Sequence, residues 1–318
     1  MPDQNGPAET PGFFRLSHAG TRILCIGGAA QDRTLQLGVP LELHTSNIAT
    51  GRTGWGGVAR NVAEGLARLG QGVDLVSLTG DDSSGSEMRT RLAEAGVGLR
   101  FLGTEAGAAT AIYTAVLNPD GEMAVAFAEM GVLDRMTPDR LPPEPGDTAL
   151  LFADCNLPAE SLRALMVRRL AGGAPLAVDV VSVAKSGRVP ADLSGISLLF
   201  ANAQEAGALL ETVMPKTPGE ALEAAAALCA RGTDAAAIFL GAGGIAAAGP
   251  GGAFHVPPVP AEMRDATGAG DATIAATLWR LAAGAPLRDA LSCGARAGAL
   301  TIARDGAVAG LDPALLLS

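Results

Sequence analysis

Short aliphatic runs alternate with helical patterns along most of this chain, and that alternation is its strongest constraint. Strand-like runs at 22–26, 73–78, 149–152, 176–181, 196–200 and 236–240 are separated by helical patterns at 57–69, 85–95, 159–171, 204–211, 218–230, 270–281 and 287–302. The pattern predicts an α/β fold, doubly wound, with a mostly parallel central sheet and helices on both faces. In such sheets ligands bind beyond the carboxyl ends of the strands, so chemistry is expected in the strand-to-helix loops.

Two segments break the rhythm. The stretch 35–53 shows apolar–polar alternation at Leu35, Leu37, Val39, Leu41 and Leu43, and 110–130 reads as a hairpin. Its turn, Asn118-Pro119-Asp120-Gly121, carries the Asp-Gly pair that suits tight hairpins. These strands are expected to form a small antiparallel β lid, inserted at about 33–53 and 110–130 into one domain over 21–318; a solvated meander is the alternative. Residues 1–20 are polar and rich in Pro and Gly, and read as a loose N-terminal extension without the apolar segment of a secretion signal.

Composition narrows the function. At 48% hydrophobic and 18% charged residues, the 318-residue chain has enough apolar material for a large core, which excludes a disordered protein. The net charge of -10 argues against nucleic acid as a partner. No apolar run reaches membrane-spanning length. Cys25, Cys155, Cys229 and Cys293 are scattered, so reduced thiols in a cytoplasmic protein are expected rather than zinc. There are only two lysines, Lys185 and Lys216. Neither follows a glycine, so a Gly-Lys-Ser/Thr phosphate loop is excluded. Gly27-Gly28 follows the first strand without completing a dinucleotide fingerprint, and Gly241-Ala242-Gly243-Gly244 is followed by another strand-like run. Phosphate charge therefore has to be met by backbone amides, arginine and a metal.

Three polar constellations stand out. Asp265-Ala266-Thr267-Gly268-Ala269-Gly270-Asp271 opens a helix, where free amides and the dipole favour an anion. Asp271 there is either a helix cap or a general base beside a phosphate cradle. Gly56-Gly57 lets a ligand approach the backbone, and Asn61, one turn on, offers a donor and an acceptor to sugar hydroxyls or ties down the turn. Asp32, past the first strand, is placed to accept from the same sugar. Asn202 and Glu205 share a helical face, reaching a magnesium water shell and phosphates or capping the helix. Lys185 is placed to meet a base carbonyl or a phosphate, or is an exposed loop lysine; Thr110 and Ser182 are further candidate contacts. Trp55 and Tyr113 either line the site or pack the lid, and His18, His44 and His255 have no catalytic spacing.

Together these motifs resemble the ribokinase-like (PfkB) carbohydrate kinase family. Gly56-Gly57 with Asn61, Ala63, Leu69 and Gly70 is similar to its first signature, Asp265 to Asp271 to its second, and Asn202 with Glu205 to its metal-associated motif. The resemblance implies ATP-dependent phosphorylation of a sugar or nucleoside. It implies Asp271 as base, with Gly268, Ala269 and Gly270 around the transferred phosphoryl. Asp32, Gly56, Gly57 and Asn61 would grip the substrate. Asn202, Glu205, Gly241, Gly244 and Thr267 would lie on the nucleotide side, with Glu205 reaching Mg2+ through water. A monovalent cation such as K+ near the second signature is a family habit. The segments 57–70, 110–118 and 179–185 are similar to a pseudouridine-phosphorylating subgroup. They imply a nucleoside 5'-hydroxyl as acceptor, with ribose, fructose or adenosine as alternatives, and a non-catalytic binder of the same fold as a further one. A homodimer formed through the β lid is expected.

Overall fold

The computed structural model describes residues 21–304, 306–308 and 310–317. The expected extension over 1–20 lies outside them. Among the described residues the chain runs β1 (Arg22–Ile26), β2 (Ala30–Leu37), β3 (Ala49–Gly56), α1 (Val58–Arg68), β4 (Gly72–Gly80), α2 (Ser83–Glu94), β5 (Gly98–Glu105), β6 (Ile112–Leu117) and β7 (Met123–Glu129). It continues as β8 (Thr148–Asp154), α3 (Ala159–Leu170), β9 (Leu176–Asp179), β10 (Leu198–Asn202), α4 (Ala203–Leu210), α5 (Pro218–Ala230), β11 (Ala236–Phe239), β12 (Ile245–Gly249) and β13 (Gly252–Val256). Helices α6 (Ala269–Ala282), α7 (Leu287–Ile302) and α8 (Pro313–Leu317) close it.

The large sheet has the order β13-β12-β11-β10-β9-β8-β1-β4-β5, parallel from β11 to β5 and antiparallel at its β12 and β13 edge. Alternation along β1 explains the layering: Leu24 and Ile26 join the core beneath α3 and α5, while Ile23 and Cys25 join the one beneath α1, α2 and α6. From β1 the chain first builds outward through β4 and β5, then returns to lay β8 on the other side. The switch in strand order therefore falls between β1 and β8, where a doubly wound sheet opens a crevice.

The second sheet, β3-β2-β6-β7, is antiparallel within each hairpin and parallel where β2 meets β6. The parallel seam arises because β2 follows β1 and β6 follows β5, and both leave the carboxyl edge of the large sheet. Pairing aligns Asp32 with Gly54 and Tyr113, which puts these positions on one face of the lid. Arg33, Thr114 and Phe127 align on the other.

Close helix packing sets the site's geometry. Gly294 and Gly298 of α7 leave room for Thr277 and Thr273 of α6. A Cβ at Gly65 of α1 would come 2.8 Å from the Cβ of Ala275. One turn toward the N-terminus from that contact, α1 carries Asn61 and α6 carries Asp271.

Candidate active site

Asp154 is the organising residue, and sequence reasoning missed it. It ends β8 at the switch point, has 0% exposure, and accepts from three amides: Gly28 at 2.9 Å, Ala59 at 2.7 Å and Asn156 at 2.8 Å. One carboxylate thus joins the loop after β1, the start of α1 and the loop after β8. Burial raises its pKa, and the three amides work against that rise. A lone Asp at the carboxyl end of a wholly apolar run was the signal available in sequence.

Gly268 caps α6 in the left-handed region at φ 72°, where a side chain would also strike Ala307. Asp271 lies in the first turn of α6 and is partly exposed at the crevice. Asn61 donates from Nδ2 to Asp271 Oδ2 at 2.6 Å. Burial pushes the Asp271 carboxyl from 3.8 up to about 6, the Asn61 hydrogen bond and Arg60 oppose the rise, and Asp154 and Asp32 add to it. The Ala269 amide is drawn toward the Ala266 carbonyl at 3.3 Å. Gly270, with open space where a Cβ would be, is the freer of the two expected phosphate donors. Thr267 donates its amide to Asp265 Oδ1 at 2.9 Å, which fixes the turn before α6.

On the lid side, a Cβ at Gly56 would collide with the Asp32 carboxylate, so glycine is what admits Asp32 there. Burial raises the Asp32 pKa, and the nearby Arg60 lowers it. Gly57, at φ 92°, turns the chain from β3 into α1. Asp32, Arg52, Tyr113, Asp265 and Thr267 are among the residues lining a cleft of about 370 Å³ between the lid and the turn before α6.

The remaining candidates divide. Thr110 is 2% exposed; its hydroxyl donates to Asp82 Oδ1 at 2.6 Å and accepts from the Gly80 amide at 3.0 Å. Those bonds corner the chain between β5 and β6. Lys185 donates from Nζ to Asn156 Oδ1, and burial lowers its pKa. It therefore sits against the loop after β8 rather than as a solvated loop lysine. Ser182 follows Val181, a β-branched residue at φ 71°, an unfavourable conformation that breaks the chain sharply away from β9. Burial, and then the charges of Glu205, Asp271 and Asp154, push the carboxyl of Asp179, at the end of β9, well above its usual range.

Asn202 and Glu205 form a full capping box: the Asn202 side chain accepts from the Glu205 amide, and Glu205 accepts from the Asn202 amide at 2.8 Å and from its side chain at 2.7 Å. Among the described residues no three His, Cys, Asp or Glu side chains gather as a metal site. Glu205 thus fits a magnesium ion only as an outer partner through water. Asn202 also lines a cleft of about 500 Å³ with Lys216, Phe239, Leu240 and Gly243. Lys216, the second lysine, was not among the expected site residues. Gly241 and Gly244, at φ 57° and 83°, bracket Gly243, whose carbonyl is held by the His255 ring at 2.7 Å.

The crevice thus has a carboxylate raised to about 6 at a helix N-terminus, a cleft between the lid and the turn before α6, and another cleft beside Asn202 on the far side of the switch point. The pfkB family carbohydrate kinase model matches residues 21–314, and the chain belongs to that family, with its ribokinase-like fold and its class of chemistry, ATP-dependent phosphorylation of a sugar or nucleoside. It is 37% identical over 150 residues to the uncharacterized sugar kinase YeiI of Escherichia coli, a span of 45% of this chain and 40% of that protein. It is 30% identical over 231 residues to the pseudouridine kinase of Escherichia coli, covering 70% of this chain and 72% of the relative. A solved carbohydrate kinase from Agrobacterium tumefaciens superposes with a TM-score of 0.78 at 30% identity, over 93% of this chain and 96% of that one.

Proposed function

We propose that this kinase phosphorylates the 5'-hydroxyl of a nucleoside, pseudouridine first, with Asp271 as general base. The observation that carries the reading is the pairing of Asp271 with Asn61 at the open N-terminus of α6, with the carboxyl pushed up to about 6. A base of that strength is largely deprotonated at neutral pH yet strong enough to take a hydroxyl proton as the nucleophile forms. Asp271 takes the proton from the acceptor hydroxyl, whose oxygen bonds to the γ-phosphorus while the bond to the bridging oxygen breaks and ADP leaves. The amide of Gly270, helped by the helix dipole, faces the charge on the transferred phosphoryl group.

Asp32 on the lid strand β2 accepts from the sugar hydroxyls, and Lys185 with Ser182 is assigned to a base carbonyl. The cleft beside Asn202 and Lys216 takes the nucleotide. Glu205 and Asp179 would hold, through water, a magnesium ion carried with the nucleotide, and that ion would supply neutralisation of phosphate charge. Support for pseudouridine comes from the 30% identical kinase of that name and from the segments around Asn61 and Lys185. The test is a panel of pseudouridine, uridine, adenosine, ribose and fructose, run with ATP and Mg2+ and with either K+ or Na+ as the monovalent cation. The highest kcat/KM is expected for pseudouridine, with K+ preferred. A larger value for ribose or fructose would move the acceptor to a free sugar, and binding without turnover of any would remove the enzymatic reading.

A further inference from the structure

Arg60 is the most buried cation near the crevice, and neither the family signatures nor the proposed chemistry uses it. Its side chain is 7% exposed on the first turn of α1. One terminal nitrogen donates to Asn61 Oδ1 at 2.7 Å and to the Trp55 carbonyl at 3.1 Å. The other donates to Glu64, which is held in turn by Arg68 at 2.6 Å. Its Nε is buried with no hydrogen-bond partner among the described residues. A buried guanidinium with an unmet donor is costly, and Arg60 shares its partner Glu64 with the half-exposed Arg68.

We propose that Arg60 is a positioning residue for the phosphoryl-transfer base, fixing the amide of Asn61 so that its NH2 is always turned toward Asp271. The inference rests on the reading of Asp271 as base. An Asn side chain is nearly symmetric in shape, and only its neighbours decide which end faces which way. A guanidinium donates and never accepts, so it holds the Asn61 oxygen; a flipped amide would set NH2 against a cation and C=O against a carboxylate. Asp271 Oδ2 therefore keeps its donor, and Oδ1 is left for the proton of the acceptor.

The charge matters as well as the orientation. Asp271 is faced by Asp154 from β8, Asp32 from β2 and Asp179 from β9, all acidic, and by Arg60 and Asn61 from α1. Arg60 lowers the pKa of both Asp271 and Asp32. Without it, Asp271 would keep only the Asn61 donor against its acidic neighbours and would hold its proton to higher pH. Sequence alone shows only an arginine preceding the signature Asn61.

The experiment is the pH–rate profile of Arg60→Met and Arg60→Lys. In Arg60→Met the acid limb of kcat is expected to move up by about one pH unit, with turnover at pH 6 down about fivefold from that shift alone and the KM for ATP within about twofold. Arg60→Lys keeps a cation but cannot reach Glu64 and Asn61 together, so its limb should stay near the parent's while kcat is still reduced. A folded Arg60→Met with the parent's limb and kcat would overturn the proposal. Should that variant not fold, Arg60→Lys decides alone: parental kcat overturns the orienting role. Asp271→Asn separates the two layers. Undiminished turnover in that variant removes the base itself, whereas lost turnover there beside an unmoved limb in Arg60→Met removes only the role of Arg60.

Discussion

Replacing Asp271 by Asn is expected to abolish turnover and to stabilise the protein at neutral pH. The native carboxyl titrates at about 6 against 3.8 without the fold's influence. Because the folded pKa is the higher one, the native state binds the proton more tightly than the unfolded chain. The stability this gives is complete below about pH 4 and is lost as pH rises through about 6. Two units correspond to at most about 3 kcal/mol, and partial exposure at the crevice brings the expectation to about 1–3 kcal/mol. Asparagine has no proton to lose, and its side-chain oxygen still accepts from Asn61. The stability gap between variant and parent should therefore widen from pH 4 to pH 6 and stay level above it, while kcat falls about 10²–10⁴-fold. Urea denaturation across pH 4 to 8, with midpoints compared at equal slope, measures the gap. A gap that ignores pH, or a variant less stable than its parent at pH 8, would refute the assignment of a partly desolvated carboxylate.

Two further outcomes are expected. Asp154→Ala strands the amides of Gly28, Ala59 and Asn156 in the interior, and at about 1–3 kcal/mol for each orphaned group should lower stability by at least about 3 kcal/mol in urea titration; a loss below about 1 kcal/mol would mean water replaces the carboxylate. The lid leaves Phe127 55% and Met123 60% exposed, apolar area of the kind that pairs with a second copy. Light scattering is expected to report a dimer that Phe127→Glu converts to monomer, and a monomeric parent would dismiss lid pairing.

The layered α/β plan was legible because aliphatic strands alternate with helices in plain view, and the hairpin at 112–129 because Asp120-Gly121 separates two runs of small and β-branched residues. Strand β5 was not legible: Gly98 and Gly103 dilute its apolar pattern, and its place at the sheet edge leaves several positions half-exposed. The parallel seam between β2 and β6 could not be read either, since pairing partners eighty residues apart leave no local mark. Asp271, Gly268 and Asn61 stood out in sequence because glycines at a helix start are conspicuous. Asp154 and Arg60 did not, because each acts by holding another residue in place, which is a property of contacts and not of spacing. The bond between Thr110 and Asp82 was hidden for the same reason, its partners being close in space and twenty-eight positions apart.

The seam joining β2 to β6 has a mechanical consequence. Each hairpin of the cover is tethered at both ends to the main body, and the shared ladder of hydrogen bonds binds the two hairpins to each other. Neither can swing alone without tearing six residue pairs apart, so any swing of the cover would carry both hairpins together about stems near Gly27 and Gly57 on one side and Glu105 on the other. Whatever grips one hairpin, including a second subunit, thereby reaches Asp32 under the other.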